Sequence, residues 1–142
     1  MNPTRKTVLV DTSGVFALSD RRSKSHPAVA AVFDDPAYDF VLPAPVLPEV
    51  CYLIATRLGH GAMRSFTAQL VAGSPPIENL AASDYRIIAQ ILEQYADLKL
   101  DFVDAAIVAL AQRLQVQTIL TLDHRDFRAV KPKHTDYFDL LP

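Results

Sequence analysis

The sequence predicts an α/β fold with a mainly parallel central sheet and helices on both faces. Two observations carry this expectation. Short apolar runs recur at 7–10, 40–42, 77–80 and 116–120, each with the length of a buried strand rather than a helix. The intervals between them hold longer segments of helical pattern, two per interval. The order therefore reads β-α-α-β-α-α-β-α-α-β with a weak last strand, and strands alternating with helices build parallel sheets.

The elements follow in chain order. TVLV at 7–10 is the first strand, and DTS turns the chain into a short helix over 13–18, with Thr12 or Ser13 as N-cap. DRRSKS at 20–25 is a basic loop. Ser25 and Pro27 open a helix over 26–33, which Asp34–Asp35–Pro36 stops. After the strand at 40–42, Pro43, Pro45 and Pro48 delay the next helix to 46–58, because proline is tolerated only in a helix's first turn. Gly59 separates it from a helix over 60–71. A strand at 77–80 precedes a helix from about Ser83 to Tyr95, with Ile87, Ile88, Ile91 and Leu92 on one face. Asp101 opens an almost wholly apolar helix over 102–114. A β-branched strand at 116–120 leads to a turn or single helical turn at 123–127, and 137–141 is a candidate edge strand.

The 142 residues suit one domain, spanning 1–142, with a real core. Half are hydrophobic and 21% charged, as in ordinary globular proteins. A net charge of −2 leaves no overall basic field, so a nucleic-acid binder of this composition needs local patches or metal ions. One cysteine, Cys51, excludes an internal disulfide and fits a reducing compartment. The charged start is followed by too short an apolar run for a signal peptide, and no stretch approaches the roughly 20 apolar residues of a membrane helix. A cytoplasmic protein with no membrane partner is expected.

Four acids stand where chemistry is expected. Asp11 and Asp123 each follow an apolar strand, and ligands of parallel α/β sheets bind beyond the strands' carboxyl ends. Glu49 and Asp104 lie in the first turns of apolar helices. Each has a plain structural alternative: a cap at Asp11, a dipole-complementing acid at Glu49, a capping box Asp101-x-x-Asp104, a turn residue at Asp123. Asp126 reads as a helper or a hydrogen-bonding partner of its loop. Four carboxylates sharing one site need a positive counter-charge. All-oxygen ligands favour Mg²⁺ or Mn²⁺. The four histidines lack paired spacing and Cys51 has no partner, which argues against zinc.

VLVDTSGVFAL, the Glu49 helix, FVDAAIVALA and TILTLDHRDF, in this order, together resemble a PIN domain of the VapC toxin type. The resemblance implies a PIN-like three-layer α/β/α sandwich. It also implies an Mg²⁺- or Mn²⁺-dependent endoribonuclease, the toxin of a type II toxin–antitoxin pair, that cuts RNA such as tRNA or rRNA. Matched residue by residue, Asp11, Glu49, Asp104 and Asp123 are its catalytic and metal-binding acids, and Ser13 and Thr121 are supporting polar residues. A small VapB-type antitoxin and a homodimer are implied as partners. Gly14 departs from the family pattern, where an apolar residue is usual, and is expected to loosen the first helix. Candidate RNA-binding cations are Arg21, Arg22 and Lys24 in one loop, and Arg125, Arg128, Lys131 and Lys133 near the C-terminus. The apolar residues of 46–58 and 60–71 exceed the need of one core, so a groove for a partner helix or a homodimer face is expected there. The competing readings are a PIN nuclease of RNA processing, a non-catalytic RNA- or metal-binding module, and a phosphatase of another α/β family.

Overall fold

Val8, Leu9 and Val10 are fully buried, as expected of a strand covered on both faces. They belong to β1 (Lys6–Val10), the centre of a five-stranded, all-parallel sheet in the computed structural model, which describes residues 4–142. β2 (Tyr38–Pro43) and then β3 (Ile77–Glu78) lie on one side of β1, and β4 (Thr118–Leu120) and β5 (Asp139–Leu141) on the other. Val10 pairs with Leu120 and Leu9 with Val41. The chain thus winds outward from β1 through β2 to β3, then crosses back to β4. This reversal places the topological switch between β1 and β4, where ligands of such sheets bind.

Among the described residues, seven α-helices flank the sheet. α1 (Thr12–Ser19) packs on α2 (His26–Phe33) and on α3 (Val46–Arg57), which packs on α4 (His60–Leu70). α5 (Ala82–Gln94) packs on α6 (Phe102–Leu114), and α7 (His124–Ala129) is a short helix after β4. Strands 3 to 5 are shorter than the apolar runs that announced them. No helix among the described residues is long and apolar enough to cross a membrane.

Three local expectations are corrected. Asp11, rather than Thr12 or Ser13, caps α1: its carboxylate accepts from the Thr12 N–H at 2.8 Å. α5 starts from Ala81, not Ser83. The Asp84 carboxylate reaches back to the Ala81 N–H at 2.7 Å, which supplies half a capping box without a polar residue at the cap. Gly14 does not loosen α1. A Cβ there would stand 2.9 Å from the Leu120 carbonyl oxygen and 3.2 Å from Leu120 Cγ, so its absence is what lets α1 lie directly on β4.

α6 is buried from Asp104 to Ala111. Its small Ala105, Ala106, Ala109 and Ala111 allow close approach of neighbouring elements. Arg113 near its end ties three elements together. Its Nε donates to both oxygens of buried Asp84 at 3.1 Å, and its terminal nitrogens donate to Glu78 at 3.1 Å and to the Asn79 carbonyl at 3.0 Å. The two-residue edge strand β3 is held in place by this clasp as well as by its pairing with β2.

Candidate acidic metal centre at the sheet switch point

The end of β1 delivers Asp11 and the end of β4 delivers Thr121. Because these strands are neighbours, the two side chains meet: the Thr121 hydroxyl donates to Asp11 Oδ2 at 2.8 Å. Thr121 Oγ1 in turn accepts from the Asp123 N–H at 3.0 Å, so one fully buried threonine couples the two strand ends. Ser13 Oγ accepts from the Leu122 N–H at 2.9 Å and lies 3.3 Å from Thr121 Oγ1. His124 Nε2 donates to the Thr121 carbonyl at 3.0 Å and fixes the same loop from its other side.

A cleft of about 190 Å³ opens here, lined by Asp11, Thr12, Ser13, Glu49, Leu53, Asp101, Val103, Asp104 and Asp123. The four acids singled out in the sequence therefore converge. Asp11 and Asp104 are buried, at 5% and 8% exposure. Glu49 is exposed, contrary to the partial burial its apolar surroundings suggested. Val46, Val50 and Ile54 take the inward stripe of α3 and leave Glu49 at its solvent edge. Asp123 occupies the N-cap position of α7, but its carboxylate makes no cap bond.

Two further acids belong to the assembly. Single carboxylate oxygens of Asp104, Asp123 and Asp126 lie within 4.8 Å of one another. Asp101 lines the cleft while accepting the Asp104 N–H at 2.8 Å. Asp126 is the helper that the sequence names, and Asp101 was within reach of the same reasoning, since it stands three residues from Asp104, a spacing that shares a helix face. Asp101 was passed over because it has a genuine local role as N-cap.

The electrostatics follow from this crowding. Burial pushes the Asp11 carboxyl up to about 6, against the lowering effect of its hydrogen bonds from Thr121 and Thr12. Burial pushes Asp104 further, to about 8, and Asp101, Asp11, Asp126 and Asp123 add repulsion. Among the described residues the Asp104 carboxylate accepts no hydrogen bond, no basic side chain lines the cleft, and no ion pair involves its acids. A buried carboxylate in that setting is costly unless a cation is added. The donors are carboxylate and hydroxyl oxygens with no imidazole or thiol. This set fits a hard divalent cation such as Mg²⁺ or Mn²⁺. Cys51 is half-buried in α3 and outside the cleft.

The cations divide. α1 carries the chain away from Asp11 over eight residues, roughly 12 Å. Arg21, Arg22 and Lys24 sit beyond its far end, and Arg21 lines a different cavity, between α1, α2, α3 and α4. Arg125 and Arg128 are exposed on α7, directly after Asp123.

The comparisons with known proteins agree with this fold. Residues 8–132 match the family model described as PIN domain. The chain is 35% identical over 135 residues to Ribonuclease VapC26 of Mycobacterium tuberculosis, an alignment covering 95% of this chain and all of that protein. Its fold resembles the crystal structure of Mycobacterium tuberculosis VapC20, described as a sarcin–ricin loop cleaving toxin, with a TM-score of 0.79 at 23% identity over 91% of this chain and 98% of that one. It also resembles Rickettsia felis VapBC2, solved bound to a DNA fragment from its promoter, with a TM-score of 0.70 at 14% identity over 96% of this chain and 99% of that one. With these matches spanning nearly its whole length, the chain belongs to the PIN-domain family.

Proposed function

We propose that this chain is a divalent-metal-dependent endoribonuclease, the toxin of a VapBC-type pair, which hydrolyses RNA phosphodiester bonds and is held in check by a small antitoxin. The observation that carries the reading is the cleft itself: carboxylates, two of them buried, converge at the switch point, and among the described residues no basic side chain lines the cleft to balance them. The whole-length similarity to a protein named as a ribonuclease supports reading RNA as the substrate of that cleft.

Asp11, Asp104 and Asp123 are the metal-holding residues, with Asp126 beside the last two and Glu49 at the solvent edge. Held by these residues, Mg²⁺ or Mn²⁺ would supply an activated water near neutral pH and neutralise charge on the phosphate oxygens. The protein's own work is to hold its acids still in a setting where their ionised forms call for a cation. Thr121 and the Thr12 N–H orient Asp11. Asp101, through the N–H of Asp104, fixes the start of α6. Glu49, exposed at the solvent edge, would orient water at the cleft. Val103 and Leu53 wall the cleft with apolar surface, which lowers the local dielectric.

The partner reading rests on a second cavity, of about 340 Å³, whose walls include Val15, Leu18, Phe33, Ile54, Leu58 and Phe66. It lies beside α3 and α4, whose apolar excess points to a partner helix or a homodimer face, and in this reading it takes an apolar segment of the antitoxin.

The test is cleavage of purified tRNA and ribosomal RNA by the parent, Asp11→Asn and Asp104→Asn proteins, with Mg²⁺ or Mn²⁺ and with excess EDTA. Discrete fragments that require metal and both acids are expected. Equal cleavage by either variant, or by the parent in EDTA, would overturn the assignment.

A further inference from the structure

A reaction centre made of acids repels the RNA it is read as cutting, so the strand must be gripped elsewhere. On that reading of the function, we propose that a small pocket between α5, α6 and the segment after α7 is a phosphate-binding subsite for the RNA backbone outside the reaction centre.

The pocket holds about 70 Å³ and is lined by Ile87, Gln90, Ile91, Gln94, Tyr95, Gln112, Val130, Lys131 and Lys133. Its polar lining is two ammonium groups, three carboxamides and a phenol, with no aspartate or glutamate. In a chain of net charge −2 this is the inverse of the acidic cleft. The two lysine and three glutamine side chains make no hydrogen bond or ion pair among the described residues, so their donors are available to a ligand. The wall is built rather than incidental. The Tyr95 hydroxyl accepts from the Lys131 N–H at 3.0 Å and lies 3.4 Å from the Lys131 carbonyl, which pins the lysine-bearing segment to the end of α5.

The ends of α5 and α6 near the pocket present about half a negative charge each. Together these offset only about one of the two lysine charges, and the pocket stays cationic. Its position suits a strand that passes through the cleft. Asp104 lines the cleft and Gln112 lines the pocket, eight residues or roughly 12 Å apart along one helix. The exposed Arg125 and Arg128 lie between Asp123 and Lys131 in the chain. The Arg21 loop, by contrast, borders the apolar groove.

The experiment measures RNA binding as a function of KCl, using a labelled single-stranded oligoribonucleotide series of increasing length. All proteins carry Asp11→Asn so that the strands stay intact. Lys131→Gln/Lys133→Gln should lower the magnitude of the salt slope by about 1.4, the value for two phosphate contacts to a single strand. It should do so only for strands long enough to span both sites. Arg21→Gln/Arg22→Gln/Lys24→Gln should leave the slope unchanged. Inorganic phosphate is titrated in parallel. An unchanged slope in the double lysine variant overturns the proposal, as does an equal loss for the shortest strands, which would mark a general charge effect. Phosphate binding to the pocket with an unchanged RNA slope also overturns it, by assigning the pocket to a free anion. No RNA binding by the parent would overturn the ribonuclease reading as well, and is distinguishable from these.

Discussion

Asp104 carries the largest electrostatic burden in the cleft, and its behaviour can be predicted with a sign. Its carboxyl is pushed up to about 8 and that of Asp11 to about 6. A carboxyl with a raised folded-state value binds its proton more readily folded than unfolded. The metal-free protein should therefore lose stability as pH rises from the ordinary carboxylate range near 4 through about 6 and then about 8. Urea midpoints in EDTA should be higher at about pH 5.5 than at about pH 8.5. Saturating Mn²⁺ should restore much of the loss at the higher pH, because the ion binds the ionised acids. Metal-free protein as stable at the higher pH as at the lower would refute the account. Asp104→Asn removes the charge and keeps the shape. It should raise metal-free stability at the higher pH by on the order of 1 kcal/mol, while cleavage falls by about 100-fold or more. The sequence made Asp11, Glu49, Asp104 and Asp123 legible, because strand ends and helix first turns are visible as pattern. It did not reveal that Thr121 bonds Asp11 and the Asp123 backbone together, since that contact depends on β1 and β4 being neighbours across more than a hundred residues. Asp101 was hidden for the opposite reason: a sufficient local role masked its place in the cleft.

The elements depend on a few close contacts that pattern alone does not show. Gly14 was read as a weakness of α1, yet its missing side chain sets the spacing between α1 and β4. Gly14→Ala forces a Cβ against the Leu120 carbonyl, which also accepts the Asp11 N–H at 2.9 Å. The expected cost is about 1–3 kcal/mol, as for overpacking. Cleavage should fall by more than the fraction unfolded explains, because α1 carries Asp11 as it moves. Circular dichroism melts alongside initial rates separate the two effects, and an Ala variant with parental melting and activity would show that the contact relaxes freely. Arg113 is the corresponding device at the other edge. Removing it leaves the Asp84 charge buried with one remaining N–H partner. Because the guanidinium is about a third exposed, the loss from Arg113→Ala should be roughly 2 kcal/mol, below that of a fully buried pair. Arg113→Lys should recover little, since a lysine cannot satisfy both oxygens of Asp84 together with Glu78 and Asn79. Element identity and order followed from the alternation of short apolar runs with helical segments. Strand lengths did not, because the ends of β3 and β5 depend on how much partner strand lies beside them.

At the scale of the whole molecule the surfaces separate by chemistry. The acids gather at the carboxyl end of the sheet, the lysine pocket lies along α5 and α6, and the apolar groove lies among α1 to α4. The groove has a physical cause in α4, none of whose residues is buried. Ala62, Met63, Phe66 and Leu70 pack against the core without being covered by it. An apolar helix face left half-covered in this way is the surface to which the proposed antitoxin is assigned, in keeping with the sequence's expectation of more apolar residues than one core requires. Leu58 tests the assignment cleanly. It lines the groove, is 37% exposed, and lies outside the acidic cleft. Leu58→Glu introduces a charge that must be desolvated when an apolar antitoxin segment docks, so antitoxin affinity should drop by about 100-fold, the scale of a lost hot spot. RNA cleavage by the isolated protein should stay at the parental rate, and inhibition curves with co-purified antitoxin should shift in proportion to the affinity. Parental inhibition by antitoxin at equal concentrations would place the docking surface elsewhere. A parallel loss of cleavage would instead mean that the groove and the acidic cleft are coupled through α1 and α3, the two helices that reach both.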